Sequence, residues 1–175
     1  LRFSYQQAYR FPTTQNQWIN LLIGGGTRLM GGLPALRDYY NFSGNPAYTV
    51  ASVQAFGGSV LAGAPNPSLL QQQVFPDFKP ESMKSNEIGY KGLIANRLLI
   101  DAYYYWATYK DFISGVQVIQ ARTPGNAFDL LDPSKRINYS ISTNTPGDVK
   151  TSGWGVSLDY LLGRNLTFYA NMYSD

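Results

Sequence analysis

The sequence predicts an all-β fold: antiparallel up-and-down strands forming part of a large transmembrane β-barrel, with long outer loops carrying short helices. Three observations predict it. The first is the polarity of residues 78–112, which read as two long strands joined by a turn. In the first strand Ile88, Tyr90 and Gly92 share one face and Ser85, Glu87, Gly89 and Lys91 the other; in the second, Leu98, Ile100, Ala102, Tyr104 and Trp106 oppose Leu99, Asp101, Tyr103, Tyr105 and Tyr109. An aliphatic-aromatic face backed by a wet, phenolic one suits a strand between lipid and a watery lumen. The second is the order of connections (long, short, long, short), which in a meander puts both long loops at one end and both tight turns at the other. The third is composition: charged residues make up only 14% and aromatics 15%, so the surface cannot be richly charged.

Composition also removes alternatives. No apolar run approaches the roughly 18 residues a spanning helix needs, and mean hydropathy is −0.23. The net charge of +3 comes from dispersed Lys and Arg, without the basic face that marks a nucleic-acid partner. Neither cysteine nor histidine occurs, which excludes disulfides, thiolate or imidazole metal sites and histidine-based triads. No catalytic residue, metal or cofactor is expected. The strongest enzyme alternative is a glycoside hydrolase with two carboxylates. Glu81 and Glu87 share a face of a regular strand but lie about 20 Å apart along it at 3.3 Å per residue, too far for such a pair. Pairs involving Asp stay open, as does a soluble, Tyr-rich β-sandwich or barrel that binds carbohydrate.

Taken in order, residues 1–11 alternate, with Leu1, Phe3, Tyr5, Tyr9 and Phe11 against Arg2, Ser4, Gln6, Ala8 and Arg10, until Pro12 ends the strand. Residues 12–80 read as a long glycine- and proline-punctuated loop, where Asn45-Pro46 and Asn66-Pro67 predict short helices at 46–56 and 67–74. Strands follow at 82–92 and 98–112 around a turn at 93–97, in a register that pairs Ile88 with Ala102, Tyr90 with Ile100 and Glu87 with Tyr103. Residues 113–148 form a second long loop, with a strand continuation at 116–120. The last strands are 149–162 and 166–174, with a turn at Gly163-Arg164-Asn165. The chain opens and closes in mid-pattern, so an internal part of one barrel domain is expected, without a plug domain or the natural termini.

Four motifs resemble the TonB-dependent outer-membrane receptor family. Tyr9-Arg10-Phe11-Pro12-Thr13 is similar to its strand-ending Phe-Arg-Ala-Pro-Thr. Phe78-Lys79-Pro80-Glu81-Ser82 with Asn86-Glu87-Ile88-Gly89-Tyr90-Lys91-Gly92 resembles its Lys-Pro-Glu…Glu-Val-Gly-Tyr-Lys strand. Tyr105 and Tyr109-Lys110-Asp111-Phe112-Ile113 resemble a third strand, and Gly153-Trp154-Gly155-Val156 a fourth, with Ser157 where Glu is usual. Residues 14–40 look like the variants with an N-terminal carboxypeptidase-regulatory-like domain. The resemblance implies a plug inside a 22-stranded barrel in a Gram-negative outer membrane. Such a protein imports a scarce nutrient (siderophore, cobalamin or glycan) with energy from TonB.

Candidate residues fall in three groups. Arg2, Arg10, Glu87, Lys91, Asp101 and Asp159 have lumen-facing parity. Trp18, Arg28, Arg37, Asp38, Tyr39 and Tyr40 are the ligand candidates of the long loop, since Arg and aromatic rings suit sugars and anionic chelates. Lys84, Lys110 and Lys150 have lipid-facing parity near the loop ends of their strands, where lipopolysaccharide phosphates are the expected partners. Gly24-Gly25-Gly26-Thr27-Arg28 lacks the Gly-Lys-Ser/Thr ending of a phosphate loop and reads as a flexible loop. The Asn-X-Ser/Thr sequences at Asn41, Asn138 and Asn165 read as coincidence in a bacterial protein.

Overall fold

A computed structural model describes residues 1–163 and 166–175. The expected turn at 163–165 and the Asn165 sequence fall on Arg164 and Asn165, which lie outside the described residues. In chain order the elements begin with β1 (Arg2–Arg10), α1 (Thr14–Trp18), β2 (Asn20–Ile23), β3 (Thr27–Met30) and α2 (Pro34–Tyr39). They continue with β4 (Tyr48–Thr49), α3 (Val50–Leu61), β5 (Glu81–Ile94) and β6 (Leu98–Lys110). The last are β7 (Ile113–Ala121), β8 (Arg136–Asn144), β9 (Val149–Leu161) and β10 (Thr167–Ser174). They form two compact units. The first is Leu1–Arg10, Glu81–Phe112 and Pro146–Asp175; the second is Phe11–Pro80 and Ile113–Thr145.

The first unit is an antiparallel sheet in the order β1-β5-β6-β9-β10. Its long β5–β6 hairpin closes over residues 95–97, where Ala95 and Asn96 have φ of 48° and 53° and the Arg97 amide donates to the Ile94 carbonyl. The expected register is corrected by two residues. Tyr90 faces Ala102, Gly92 faces Ile100 and Glu87 faces Tyr105. The cause is the turn, which is shorter than expected because β5 runs on to Ile94. A two-residue slide leaves every side chain on its expected face, since side chains alternate with period two.

The second unit corrects the reading of 12–80 and 113–148 as loops. It holds a five-stranded sheet of its own, ordered β2-β3-β8-β7-β4, in which β3 and β8 run parallel. Asp111, at φ 52°, follows the end of β6, and β7 pairs with β8 and β4 instead of extending the wall. Met30, Ala47, Val118, Tyr139 and Ile141 form one buried cluster. Val53, Ile119, Ala121 and Leu130 form another. The Tyr139 hydroxyl donates to Gln120 Oε1 at 2.9 Å, and Gln120 Nε2 donates to the carbonyls of Tyr40 and Asn45 at 3.0 and 2.6 Å. Both ends of that buried amide are therefore satisfied, as a dry core requires.

One expected helix moves and the other shortens to a single turn. Thr49 N–H donates to the Gln71 carbonyl and Gln73 N–H to that of Ala47, drawing 47–49 and 71–73 into pairing. The helix consequently starts at Val50, capped by Thr49, whose hydroxyl accepts from Ser52 N–H. Asn45 instead donates to the Ala121 carbonyl. Asn66 does cap, accepting from Ser68 N–H, but only a single 3-10 turn over Pro67–Leu69 follows before the chain extends.

Candidate functional site

The register sorts the first unit's side chains onto two faces. On one, successive cross-strand rows read Gln7–Lys84–Thr108–Lys150, Tyr5–Asn86–Trp106–Ser152 and Phe3–Ile88–Tyr104–Trp154. Below them come Tyr90–Ala102–Val156–Met172, then Gly92–Ile100–Leu158–Ala170, then Ile94–Leu98–Tyr160–Phe168. The face thus grades from cationic, through a band with Tyr5, Trp106, Tyr104 and Trp154, into aliphatic rows, and ends on Tyr160 and Phe168. Outward faces of outer-membrane barrels show this layering, an apolar band between two aromatic girdles. The rings of Tyr104 and Trp106 stack with centroids 5.7 Å apart.

The opposite face carries the ion pairs. Arg2 Nε lies 3.4 Å from Glu87 Oε1, and Arg2 Nη2 lies 3.4 Å from Asp101 Oδ1. Lys91 Nζ lies 3.4 Å from Asp101 Oδ2. Arg10 Nη2 donates to Glu81 Oε2 at 2.7 Å, and the Glu81 side chain is only 7% exposed. Both glutamates thus sit in ion pairs with arginines. Asp159 joins Arg2, Lys91, Asp101, Tyr103 and Asn171 around an open depression of about 360 Å³. Five of the six lumen candidates therefore gather on one stretch of β1, β5, β6 and β9, while Arg10 sits with Glu81 at the loop end.

Glycine shapes this face, a signal that sequence reasoning missed. A Cβ on Gly155 would lie 2.6 Å from the Tyr103 ring, one on Gly153 2.7 Å from the Tyr105 ring, and one on Gly89 2.6 Å from the Arg2 guanidinium. Two phenol rings and a guanidinium thus lie flat across neighbouring strands. Glycines at every second position opposite tyrosines were the legible trace of it.

The loop candidates divide by exposure. Arg28 lies 5.0 Å from the Tyr40 ring centroid, and Arg28 Nη1 and the Tyr40 hydroxyl both donate to Asn20 Oδ1, at 2.7 and 2.9 Å. Tyr40 packs edge-on against Tyr139. Arg37 donates to the Gly32 carbonyl at 2.7 Å and stands over Phe75, and burial lowers its pKa despite the carboxylates of Asp38 and Asp77. Trp18, at the end of α1, is 55% exposed; Tyr39, near the end of α2, is 76% exposed, and Asp38 beside it is exposed as well. Gly24–Gly26 forms one 3-10 turn between β2 and β3, where Gly25 and Gly26 need their φ of 79° and 76°.

Lys84, Lys110 and Lys150 are all exposed on the graded face, toward the end of the sheet from which both long connections leave. Among the described residues no group of three or more carboxylates is placed to hold a metal ion.

Comparison with curated proteins and with solved structures gives no significant match. The family comparison does: the TonB-dependent receptor-like β-barrel matches residues 1–175, the whole chain. The antiparallel sheet with its layered face is what a section of such a barrel requires, and the soluble carbohydrate-binding alternative is set aside. Members of this family are outer-membrane transporters of Gram-negative bacteria. The chain belongs to the TonB-dependent receptor β-barrel family.

Proposed function

We propose that this chain supplies wall and outer-loop surface for the import of one scarce nutrient, a siderophore, cobalamin or glycan, driven by TonB acting on a plug domain. The observation that carries the reading is the sheet's two-sidedness: one face layered for lipid, the other lined by Arg2, Lys91, Asp101, Tyr103 and Asp159 around a depression. On this reading Arg2, Arg10, Glu87, Lys91, Asp101 and Asp159 face the lumen, where paired charges give a wet wall that neither traps nor excludes a passing solute. The exposed pairs of Arg2 and Lys91 contribute about 0–1 kcal/mol each to stability.

Ligand contact falls to the long-loop candidates of the second unit. Trp18, Asp38 and Tyr39 offer the free surface there, while Arg28, Arg37 and Tyr40 hold the segment that presents them. Lipid and lipopolysaccharide are the partners of the layered face, with Lys84, Lys110 and Lys150 near the headgroups.

The test is competition growth of a strain lacking the protein under limitation for ferric chelates, cobalamin or glycans. A defect confined to one nutrient class, restored by the wild-type gene and only partly by W18A/Y39A, is expected. Equal growth in every limitation, with the protein expressed in the parent strain, contradicts the reading.

A further inference from the structure

Thr108 lies midway along one edge of a triangle of cations. Directly across the ladder, Lys84 on β5 and Lys150 on β9 flank it. Two inter-strand spacings separate them, about 10 Å between Cα atoms. Lys110 stands two residues further along β6, on the same face, about 7 Å away at the usual strand rise. Lysine side chains are long and flexible enough for all three ammonium groups to converge above the Thr108 hydroxyl. Among the described residues none of the three has a carboxylate within ion-pair distance, whereas Arg2, Arg10 and Lys91 on the opposite face all do. On the membrane side the triangle adjoins a shallow depression of about 470 Å³ lined by Tyr104, Trp106, Thr108, Lys150 and Ser152.

We propose that Lys84, Lys110 and Lys150 with Thr108 form a specific seat for a phosphate group of an outer-leaflet glycolipid, whose sugar and first acyl carbons rest on Tyr104 and Trp106. Charge complementarity and position name the occupant. Uncompensated cations are grouped one and two rows beyond the aromatic band, toward the headgroup side on the lipid-facing reading, and an amphipathic platform adjoins them on the acyl side. A soluble anion would use the cations alone and leave the stacked rings idle. The proposal rests on the reading of this face as lipid-facing.

The test uses the full-length receptor in nanodiscs, with a bisphosphorylated lipid A as probe. Its binding is compared with that of the same lipid lacking phosphates and with inorganic phosphate. At about 1 kcal/mol per lysine near a lipid surface, affinity falls about fivefold in K84Q and about thirtyfold in K84Q/K150Q; K84R/K150R binds like wild type. The dephosphorylated lipid binds wild type and K84Q/K150Q equally weakly, and millimolar inorganic phosphate does not compete. Unchanged affinity in K84Q/K150Q overturns the proposal. So does equal binding of both lipids by the wild-type protein, a comparison that needs no variant to fold. Displacement by inorganic phosphate identifies a soluble-anion site and likewise overturns it. The part of tryptophan quenching by brominated phospholipid that W106F/W154F removes is measured in parallel. Absence of that quenching defeats the lipid-face reading, whereas quenching without phosphate dependence defeats the seat alone.

Discussion

The two units are built from the same chain under opposite rules. In the second unit apolar side chains turn inward: Met30, Phe56, Val118, Leu130, Tyr139 and Ile141 are almost wholly buried, and the buried Gln120 has its hydrogen bonds met. In the sheet, Ala107 is the lone buried apolar residue among those described, while Phe3, Ile88, Tyr104, Trp106, Trp154, Phe168 and Met172 stand exposed. A protein that folds in water against one core shows the first pattern, since apolar burial is the main favourable term. The second pattern is stable only where the surrounding solvent is itself apolar on one side. Stability in the second unit therefore comes from packing, and in the sheet from ladder hydrogen bonds, cross-strand pairs and the bilayer.

Substitutions that respect one rule and violate the other sharpen this contrast. The largest effect is expected from Ile141→Ala, which opens a cavity in the fully buried cluster and costs about 2–5 kcal/mol. Limited proteolysis should show cleavage within 11–80 and 113–145 while the barrel keeps its heat-modifiable mobility on gels. Next comes Val156→Arg, on the aliphatic rows, at about 2–4 kcal/mol by denaturant unfolding in lipid. Ser157→Arg, one residue on and on the charged face, should cost far less. If the two cost the same, the sheet does not have a lipid side.

Alkali should loosen the second unit before the sheet. Burial pushes the Tyr139 phenol up to about 12 from the ordinary 10.0. A raised pKa means that the folded state holds the proton more tightly. Its stabilisation is complete below pH 10 and is lost between there and pH 12, amounting to roughly 2–3 kcal/mol. Tyr139→Phe should flatten that part of the pH–stability curve. Gly153→Ala, whose Cβ would meet both the Tyr105 ring and the Ser174 carbonyl, is expected to cost about 1–3 kcal/mol. The smallest effect belongs to Arg2→Gln, below about 1 kcal/mol, because its pairs with Glu87 and Asp101 are half exposed.

What was legible in the sequence follows the same division. Wall strands announce themselves because alternation persists over 13 or 14 residues, as in β5, β6 and β9, and a two-residue error in register does not disturb the faces. The second unit hides because its strands β2, β3 and β4 are only four, four and two residues long, too short for a period to show. Its central parallel pair joins Thr27–Met30 to Asn138–Ile141 across most of the chain, a contact that local pattern cannot reveal. Helix starts failed for a related reason. Asn45-Pro46 is a sound local signal, but pairing of 47–49 with 71–73 overrode it. Among the site residues, parity placed Arg2, Glu87, Lys91 and Asp101 on one face, yet nothing local told Trp18 and Tyr39, which are exposed, from Arg37 and Tyr40, which are packed.

The most direct test of the central claim is a nitroxide scan along β9 from Trp154 to Leu161 in the full-length protein in bilayers, reading collisions with oxygen and with a water-soluble nickel complex. The account predicts a period of two. Oxygen access peaks at Trp154, Val156, Leu158 and Tyr160, and nickel access peaks at Gly155, Ser157 and Asp159. Equal access to both probes along the strand, or alternation in the reverse sense, would contradict it.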